Sequence, residues 1–250
     1  MEKAADKRRN PALAWLKEIA IIVAVALLLS FLIKTFLFRA FYIPSTSMED
    51  TLEVNDRIFV NLLVPEPIGL QRGDVVVFRD DLGWLPPNGQ ADDGGNWFQQ
   101  ALTFVGLLPD SSQQHLVKRV IGIGGDRVVC CDADGRITVN GHALSEPYLH
   151  PESVNESQPF DVVVPEGKIW VMGDNRNHSA DSREHREEAS GGFIDLEAVE
   201  GKAAVIAWPL DRMAVLGNYP EVFDAVPPAG SGGPAPESAP AGRTEQESGQ

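Results

Sequence analysis

The residues best suited to chemistry in this chain are the hydroxyl side chains of one short turn. Ser45, Thr46 and Ser47 follow Pro44, soon after an apolar segment of membrane length. A serine hydroxyl becomes a nucleophile for acyl transfer when a neighbouring base takes its proton. A nucleophile at this place in the chain would lie at a membrane surface, and it needs a base from elsewhere in the sequence.

Lys118 is a candidate for that base. It lies in the predicted strand 116–121, where alternation puts Leu116 and Val120 on the same face as Lys118. An apolar face would desolvate the ammonium group and lower its pKa from the ordinary value of about 10.4, so that a neutral amine could accept a proton. The alternative is a lysine that stands on an edge strand and discourages aggregation.

Other catalytic patterns are missing from the sequence. There is no Gly-x-Ser-x-Gly, no His-Glu-x-x-His, no phosphate-binding loop and no cysteine spacing typical of a metal site. We therefore expect neither a metal nor a cofactor. Spacing does not exclude a Ser/His/Asp triad, because triad partners come from any part of a chain. The histidines are His115, His142, His150, His178 and His185.

The two cysteines, Cys130 and Cys131, are adjacent. Neighbouring side chains on a strand point to opposite faces, so a bridge between these two needs a distorted peptide. We expect free or partly buried thiols rather than a disulfide.

The element that would place the turn at a membrane is the apolar run from Ile19 to Phe38, in which Lys34 is the only charge. Twenty helical residues rise about 30 Å, the thickness of the hydrocarbon core of a bilayer. A cleaved signal peptide is the alternative, but Phe38 stands where a cut after Ala40 would need a small side chain. We predict an uncleaved transmembrane anchor at 19–38.

Charge sets the expected orientation and excludes one class of partner. The segment before the anchor is basic, so it should stay in the cytoplasm and leave the bulk of the chain outside. The whole chain has a formal net charge of −15, and an acidic surface repels nucleic acid. We predict a cytoplasmic segment at 1–18, an extracytoplasmic domain at 39–224 and a disordered tail at 225–250.

Short runs rich in Val, Ile and Phe, separated by turn residues, dominate the domain. They predict a mainly β fold of antiparallel sheets, as a packed pair or a partly closed barrel. An insertion at 82–114 carries its own apolar residues, which would pack on the flank of the domain or dip into the membrane. The strand-like runs are 57–62, 75–79, 116–121, 127–131, 137–140, 160–164, 169–172 and 203–208.

Four blocks of sequence stand in the order seen in type I signal peptidases of bacteria, and the chain resembles that family from the anchor to about Leu210. The resemblance implies the mainly β catalytic domain of that family. The blocks are Pro44-Ser45-Thr46-Ser47-Met48, then Arg72-Gly73-Asp74-Val75-Val76-Val77-Phe78, then Lys118-Arg119-Val120-Ile121-Gly122 with Gly125-Asp126, then Gly173-Asp174-Asn175-Arg176 with Ser179-Ala180-Asp181-Ser182-Arg183.

The resemblance implies a role for each matching residue at the centre of the site. Ser47 matches the nucleophile and Lys118 the general base of a Ser/Lys dyad that works without histidine. Ser45 matches the hydroxyl that joins the N–H of Ser47 in an oxyanion hole, where donors stabilise charge that develops in the transition state. Ser179 matches the serine that hydrogen-bonds the lysine and orients it.

Further roles surround these residues. Asp181 and Arg183 match a supporting pair behind the site. Where the family commonly has Asp-Asn in the fourth block, this chain has Asn177 and His178, and we expect His178 to be an exposed loop residue. The shallow pockets for small substrate side chains would be lined by Ile43, Pro44, Met48, Leu52 and Val117.

The function implied is that of a membrane-bound serine endopeptidase that removes signal peptides from exported preproteins after an Ala-x-Ala site. Its partners would be those signal peptides, the lipid bilayer and the secretion translocon. One rival is a self-cleaving Ser/Lys repressor, which would need a DNA-binding helical module where this chain has an apolar span. Another is a membrane-anchored β domain that binds a ligand without chemistry, with Ser47 as a mere turn residue. Cleavage by the wild type but not by Ser47→Ala separates that rival from an enzyme.

Overall fold

The computed structural model describes residues 11–86, 114–155 and 158–230, with the side chains of 11–14 excepted. The predicted insertion cluster falls mostly on residues outside these ranges. The predicted disordered tail lies outside them from residue 231 onward.

A long helix, α1 (Pro11–Phe36), precedes the domain. Its segment Trp15–Phe36 is long and apolar enough to cross a bilayer, and its most apolar stretch is not buried in the protein at all. The helix ends before the predicted limit of the anchor, because Phe38 already belongs to strand β1 (Phe38–Tyr42) and pairs with Asn61. The pairing of Phe38 with a strand that is distant in the sequence cannot be predicted from local hydrophobicity.

Short strands are the main secondary structure of the domain, and each predicted run contains one. Single helical turns at Arg176–His178, Leu196–Ala198 and Leu210–Arg212, and a short helix α2 (Pro220–Phe223), interrupt them. The strands after β1 are β2 (Arg57–Asn61), β3 (Val75–Arg79), β4 (His115–Ile123), β5 (Arg127–Cys130), β6 (Thr138–Val139), β7 (His142–Ala143), β8 (Phe160–Val163), β9 (Lys168–Met172), β10 (Ile194–Asp195), β11 (Val199–Trp208) and β12 (Ala214–Val215).

Every strand pairing within the described ranges is antiparallel, which confirms the predicted fold class. The larger sheet has the order β1-β2-β11-β3-β4-β9-β10, with β12 beside β11, and the smaller sheet has the order β7-β6-β5-β8. Strand β4 pairs along Val75–Arg79 on one side. On the other side its pairing with β9 begins only at Arg119, opposite Met172.

Buried apolar side chains from both sheets form the core, as alternation along half-buried strands requires. One cluster lies around Trp170 and joins the smaller sheet to α2. Another lies beneath the turn that carries Ser47 and includes Met48, Leu52 and Val77. The hydroxyl turn is therefore fixed by its own apolar neighbours.

The expectation of free thiols at Cys130 and Cys131 is wrong. A disulfide joins them, with the two Cα atoms 3.0 Å apart, and the peptide between them is cis. The alternation argument assumed a trans peptide within a strand. The strand β5 ends at Cys130, and a cis peptide brings consecutive Cα atoms to about 2.9 Å, on the same side of the chain.

Candidate active site

The turn that carries Ser47 is held at both ends by main-chain hydrogen bonds. The N–H of Ile43 donates to the carbonyl of Asp56 at 2.9 Å, and the N–H of Asn55 donates to the carbonyl of Ile43 at 2.9 Å. Within the turn, the N–H of Leu52 donates to the carbonyl of Met48 at 2.7 Å. Ser47 is left 6% exposed at the top of this turn.

Lys118 lies in β4 with 3% of its surface exposed, and Leu116 and Val120 on the same face are buried with it. This burial confirms the environment that alternation predicts. The alternative of a solvent-facing lysine is wrong, since the Lys118 side chain is buried.

The side chains of Ser47 and Lys118 meet. Lys118 Nζ donates a hydrogen bond to Ser47 Oγ at 2.7 Å, and another to the carbonyl of Val117 at 3.1 Å. Burial lowers the pKa of Lys118 to about 8, while Asp181 and Asp174 act in the opposite direction. A neutral lysine is therefore accessible at mildly alkaline pH.

Two donors lie beside the Ser47 hydroxyl. Ser45 Oγ is 3.3 Å from Ser47 Oγ and belongs to an exposed residue. Among the described residues, the N–H of Ser47 makes no hydrogen bond. A hydroxyl and an N–H at one side of a nucleophile are the donor types that stabilise a tetrahedral oxyanion.

The chain after β9 closes over the turn. The N–H of Asn175 donates to the carbonyl of Ser47 at 3.1 Å. Gly173 is packed so closely that an added Cβ would overlap the carbonyl of Ser47 and the side chain of Ser179. Ser179 is buried here, and among the described residues its Oγ makes no hydrogen bond of ordinary geometry, although it helps to lower the pKa of Asp181. The predicted hydrogen bond from Ser179 to Lys118 is thus not formed, and Ser179 packs against Gly173 instead.

The predicted pair of Asp181 and Arg183 is formed and buried. Arg183 Nε and Nη2 each donate to the Asp181 carboxylate at 2.9 Å, and so does the N–H of Gly173 at 2.9 Å. Burial by itself would raise the pKa of Asp181, but the Arg183 guanidinium outweighs it and leaves that pKa lowered. The pair supports the strand end that contacts Ser47.

The sequence reasoning did not assign a role to a second buried pair. Arg119 Nε and Nη2 donate to Asp174 at 2.8 and 2.6 Å, and Thr51 Oγ1 donates to Asp174 Oδ2 at 2.6 Å. The pair therefore ties the Ser47 turn to the end of β9. The sequence did contain a signal for this pair. Arg119 is next to Lys118 in an interior strand and must also be buried, and a buried arginine needs a carboxylate.

The predicted pocket residues fall into two groups. Ile43, Met48 and Leu52 are at most 2% exposed and belong to the apolar cluster under the turn. Pro44 is exposed and Val117 is half-buried, so these two offer accessible surface beside Ser47. Contact of the first three with a substrate stays a prediction.

His178 is exposed, as expected, at the end of the helical turn Arg176–His178. Its Nδ1 lies 3.3 Å from Oδ1 of Asn175. Within the described ranges, no group of three or more His, Cys, Asp or Glu side chains is placed to hold a metal ion.

A buried serine and lysine in contact, on an antiparallel β fold with oxyanion donors beside the hydroxyl, have the features of a serine peptidase that needs no histidine. Residues 13–208 match the family described as signal peptidase, peptidase S26. The chain belongs to this family.

Two relatives found by sequence agree with that assignment. Signal peptidase I of Mycobacterium tuberculosis is 38% identical over 233 residues, which cover 84% of this chain and 79% of the relative. Signal peptidase I of Bacillus licheniformis is 34% identical over 220 residues, covering 85% and 97%. A crystal structure of a signal peptidase I from Enterococcus faecalis V583 is 27% identical and covers 54% of this chain and 97% of that one, with a TM-score of 0.34.

Proposed function

We propose that this protein, a serine peptidase that removes signal peptides from preproteins, cleaves them with Ser47 as nucleophile and Lys118 as general base. The observation that carries the proposal is the buried 2.7 Å contact between Lys118 Nζ and Ser47 Oγ. The lysine pKa of about 8, lowered by burial, supports the same role. A general base works best when its pKa lies near the working pH.

In the first half of the reaction, neutral Lys118 accepts the proton of the Ser47 hydroxyl while Oγ attacks the scissile carbonyl. The tetrahedral oxyanion accepts hydrogen bonds from the N–H of Ser47 and the hydroxyl of Ser45. Lys118 then gives the proton to the departing amine of the mature protein. An ester between Ser47 and the last residue of the signal peptide remains.

In the second half, Lys118 accepts a proton from a water molecule that attacks the ester carbonyl. The tetrahedral intermediate collapses, Ser47 Oγ regains the proton from Lys118, and the signal peptide leaves as a carboxylic acid. The two half-reactions together consume one water and return both side chains to their starting states.

An extended substrate would bind along the first half of β4. Among the residues that the structure describes, 116–118 of this strand pair with β3, and pairing with β9 begins at Arg119. A peptide can add to such a free strand edge with alternate side chains facing the protein. Pro44 and Val117 would meet those side chains at the surface, above Ile43, Met48 and Leu52, and shallow pockets there would select small residues in an Ala-x-Ala pattern.

The apolar helix supplies the location of the reaction. Trp15–Phe36 would cross the bilayer, with the basic segment before it in the cytoplasm and the β domain on the extracytoplasmic side. The bilayer and the secretion translocon are then the partners that deliver a signal peptide to Ser47. Protease added to intact protoplasts should remove the domain, and protection of the domain would contradict this topology.

The decisive experiment is preprotein cleavage by purified wild-type protein and by Ser47→Ala in detergent micelles. The wild type should release the mature protein after Ala-x-Ala, and Ser47→Ala should retain less than about a thousandth of the rate, because the covalent route is lost. A matched control is Ser190→Ala, in a turn where Ser190 accepts hydrogen bonds from the N–H groups of Gly192 and Phe193; this change should leave the rate unchanged. Retained turnover in Ser47→Ala would place the nucleophile elsewhere.

A further inference from the structure

The backbone of Gly173 is held on both sides by members of buried ion pairs. Its N–H donates to Asp181 at 2.9 Å, and its carbonyl accepts a hydrogen bond from Arg176 Nε at 3.0 Å. Asp181 belongs to the supporting pair described above. Arg176 forms another buried pair, with Glu146. None of the catalytic steps uses Glu146.

Glu146 reaches Arg176 from the loop after β7, in the smaller sheet. Arg176 Nη2 donates to Glu146 Oε1 at 2.5 Å and Nη1 donates to Oε2 at 3.2 Å. The side chain of Glu146 is 2% exposed and that of Arg176 is 0% exposed. Arg176 Nη1 also donates to Oδ1 of Asn155. A bidentate pair with this little exposure fixes the guanidinium plane, and hence the direction of Nε, more tightly than a single contact would.

Glu146 is also linked, through Tyr148, to the buried pair of Arg119 and Asp174. Tyr148 donates its hydroxyl to Glu146 Oε1 at 2.9 Å, and the guanidinium of Arg119 lies over the Tyr148 ring at 4.0 Å. Arg119 in turn holds Asp174. One carboxylate therefore contacts the residue that holds Gly173 directly and, through the Tyr148 ring, the residue that holds Asp174.

The position of Gly173 matters because the packing around it leaves no free space. An added Cβ would overlap the carbonyl of Ser47 and the side chain of Ser179, so any movement of the Gly173 peptide towards the turn must displace Ser47. Movement away from it would leave a gap beside the dyad. The position of Ser47 relative to Lys118 thus depends on where the two ion pairs hold Gly173.

We propose that Glu146 is a positioning residue for the cleavage reaction: through Arg176 it fixes the carbonyl of Gly173, and Gly173 fixes Ser47 against Lys118. This inference rests on the proposed dyad of Ser47 and Lys118. Being 2% exposed on its side chain, Glu146 does not contact a bound peptide. Its loss should therefore change kcat and leave KM nearly constant.

A pH profile separates positioning from general stability. The charged groups that act on Lys118 are Asp181, Asp174 and Arg183, and Glu146 is not among them. When Gly173 is loosened, water gains access to the amine, and desolvation lowers the lysine pKa less. The alkaline rise in kcat should then move upward, towards the ordinary lysine value.

The test compares Glu146→Gln with Asp126→Asn in the full-length protein. Asp126, with a fully buried side chain, pairs at 2.6 Å with Arg72, which is 16% exposed; this pair lies beyond the end of β4 and does not contact Gly173. Both variants should lower Tm. Well below both Tm values, Glu146→Gln should lose about tenfold to a hundredfold in kcat, with KM within about twofold and the pH midpoint raised by about half a unit to one unit.

Asp126→Asn should keep the kcat and the pH midpoint of the wild type. Equal profiles for the two variants would overturn the proposal. If Glu146→Gln does not fold, the double variant Glu146→Gln/Arg176→Gln removes both buried charges, and a folded double variant with the wild-type kcat and midpoint overturns the proposal equally. Activity of Ser47→Ala in the same assay would instead contradict the dyad, so the two failures are distinguishable.

Discussion

Ion pairs near Ser47 differ from those at the periphery of the same domain. Around the site both partners of three pairs are at most 2% exposed, whereas in several peripheral pairs one partner is about two-fifths exposed or more. The buried pairs are Arg119 with Asp174, Arg183 with Asp181 and Arg176 with Glu146. The exposed pairs include Arg127 with Asp161, Arg136 with Asp132 and Lys168 with Asp195.

The two sets have different consequences for the protein. An exposed pair contributes little to stability because water and salt screen it. A buried pair must first lose its hydration, and apolar residues of the same volume often stabilise a fold at least as well. The concentration of buried pairs at one place therefore indicates that geometry, rather than stability, is what they supply there.

The largest effect should come from Lys118 itself. Lys118→Arg and Lys118→Met should each lower kcat by at least about a thousandfold, because a guanidinium stays protonated and a thioether is no base. Steady-state kinetics on a preprotein measure this. A variant with arginine that keeps its activity would show that the buried position requires only a positive charge.

The wild-type rate should follow the protonation of Lys118. Burial lowers its pKa to about 8, and only the neutral amine accepts a proton. Hence kcat should rise about tenfold per pH unit below pH 8 and level off above it. A rate that is constant from pH 6 to pH 9 would contradict a lysine base.

Breaking a buried pair should cost far more stability than breaking an exposed one. Asp181→Asn should lower the free energy of unfolding by about 3–5 kcal/mol, whereas Asp195→Asn should lower it by about 0–1 kcal/mol. Urea denaturation measures both values. The pKa of Asp181 is lowered on folding, so its contribution is present above the ordinary pKa and lost as the pH falls through the folded value. Equal losses in the free energy of unfolding for the two variants would contradict the difference between buried and exposed pairs.

Ser179→Ala should have a smaller effect, about a tenfold loss of kcat with KM unchanged. Its hydroxyl makes no hydrogen bond to Lys118, so the loss would come from looser packing against Gly173. The N–H and carbonyl of Gly173 keep their hydrogen bonds to Asp181 and Arg176 in this variant, so Gly173 stays in place and the pH midpoint should stay where it is in the wild type. A shifted midpoint would indicate that Ser179 bonds the lysine during turnover.

The smallest effect should come from the exposed histidine next to these residues. His178→Ala should keep at least about a tenth of the wild-type kcat, because the proposed dyad already contains its base. The same assay measures it. A loss of about a thousandfold would indicate a triad in place of the dyad.

The sequence predicted the antiparallel fold and the burial of Lys118, because alternation along a strand is a local property. It did not predict the end of α1, which depends on the pairing of Phe38 with Asn61 across the sheet. Nor did alternation predict the disulfide of Cys130 and Cys131, since it assumed a trans peptide. The contacts of Ser179 and Glu146 depend on loops that meet only in three dimensions.

The join between helix and domain has a consequence for the choice of substrate. Leu37 alone separates α1 from β1; its N–H donates to the carbonyl of Ile33 at 2.8 Å and its carbonyl accepts from the N–H of Leu62 at 2.9 Å. A linker bonded on both sides permits little swing of the domain about the helix. With α1 in the bilayer, Ser47 would stand at a constant height above the lipid. The enzyme would then select signal peptides by the number of residues between their apolar core and their cleavage site.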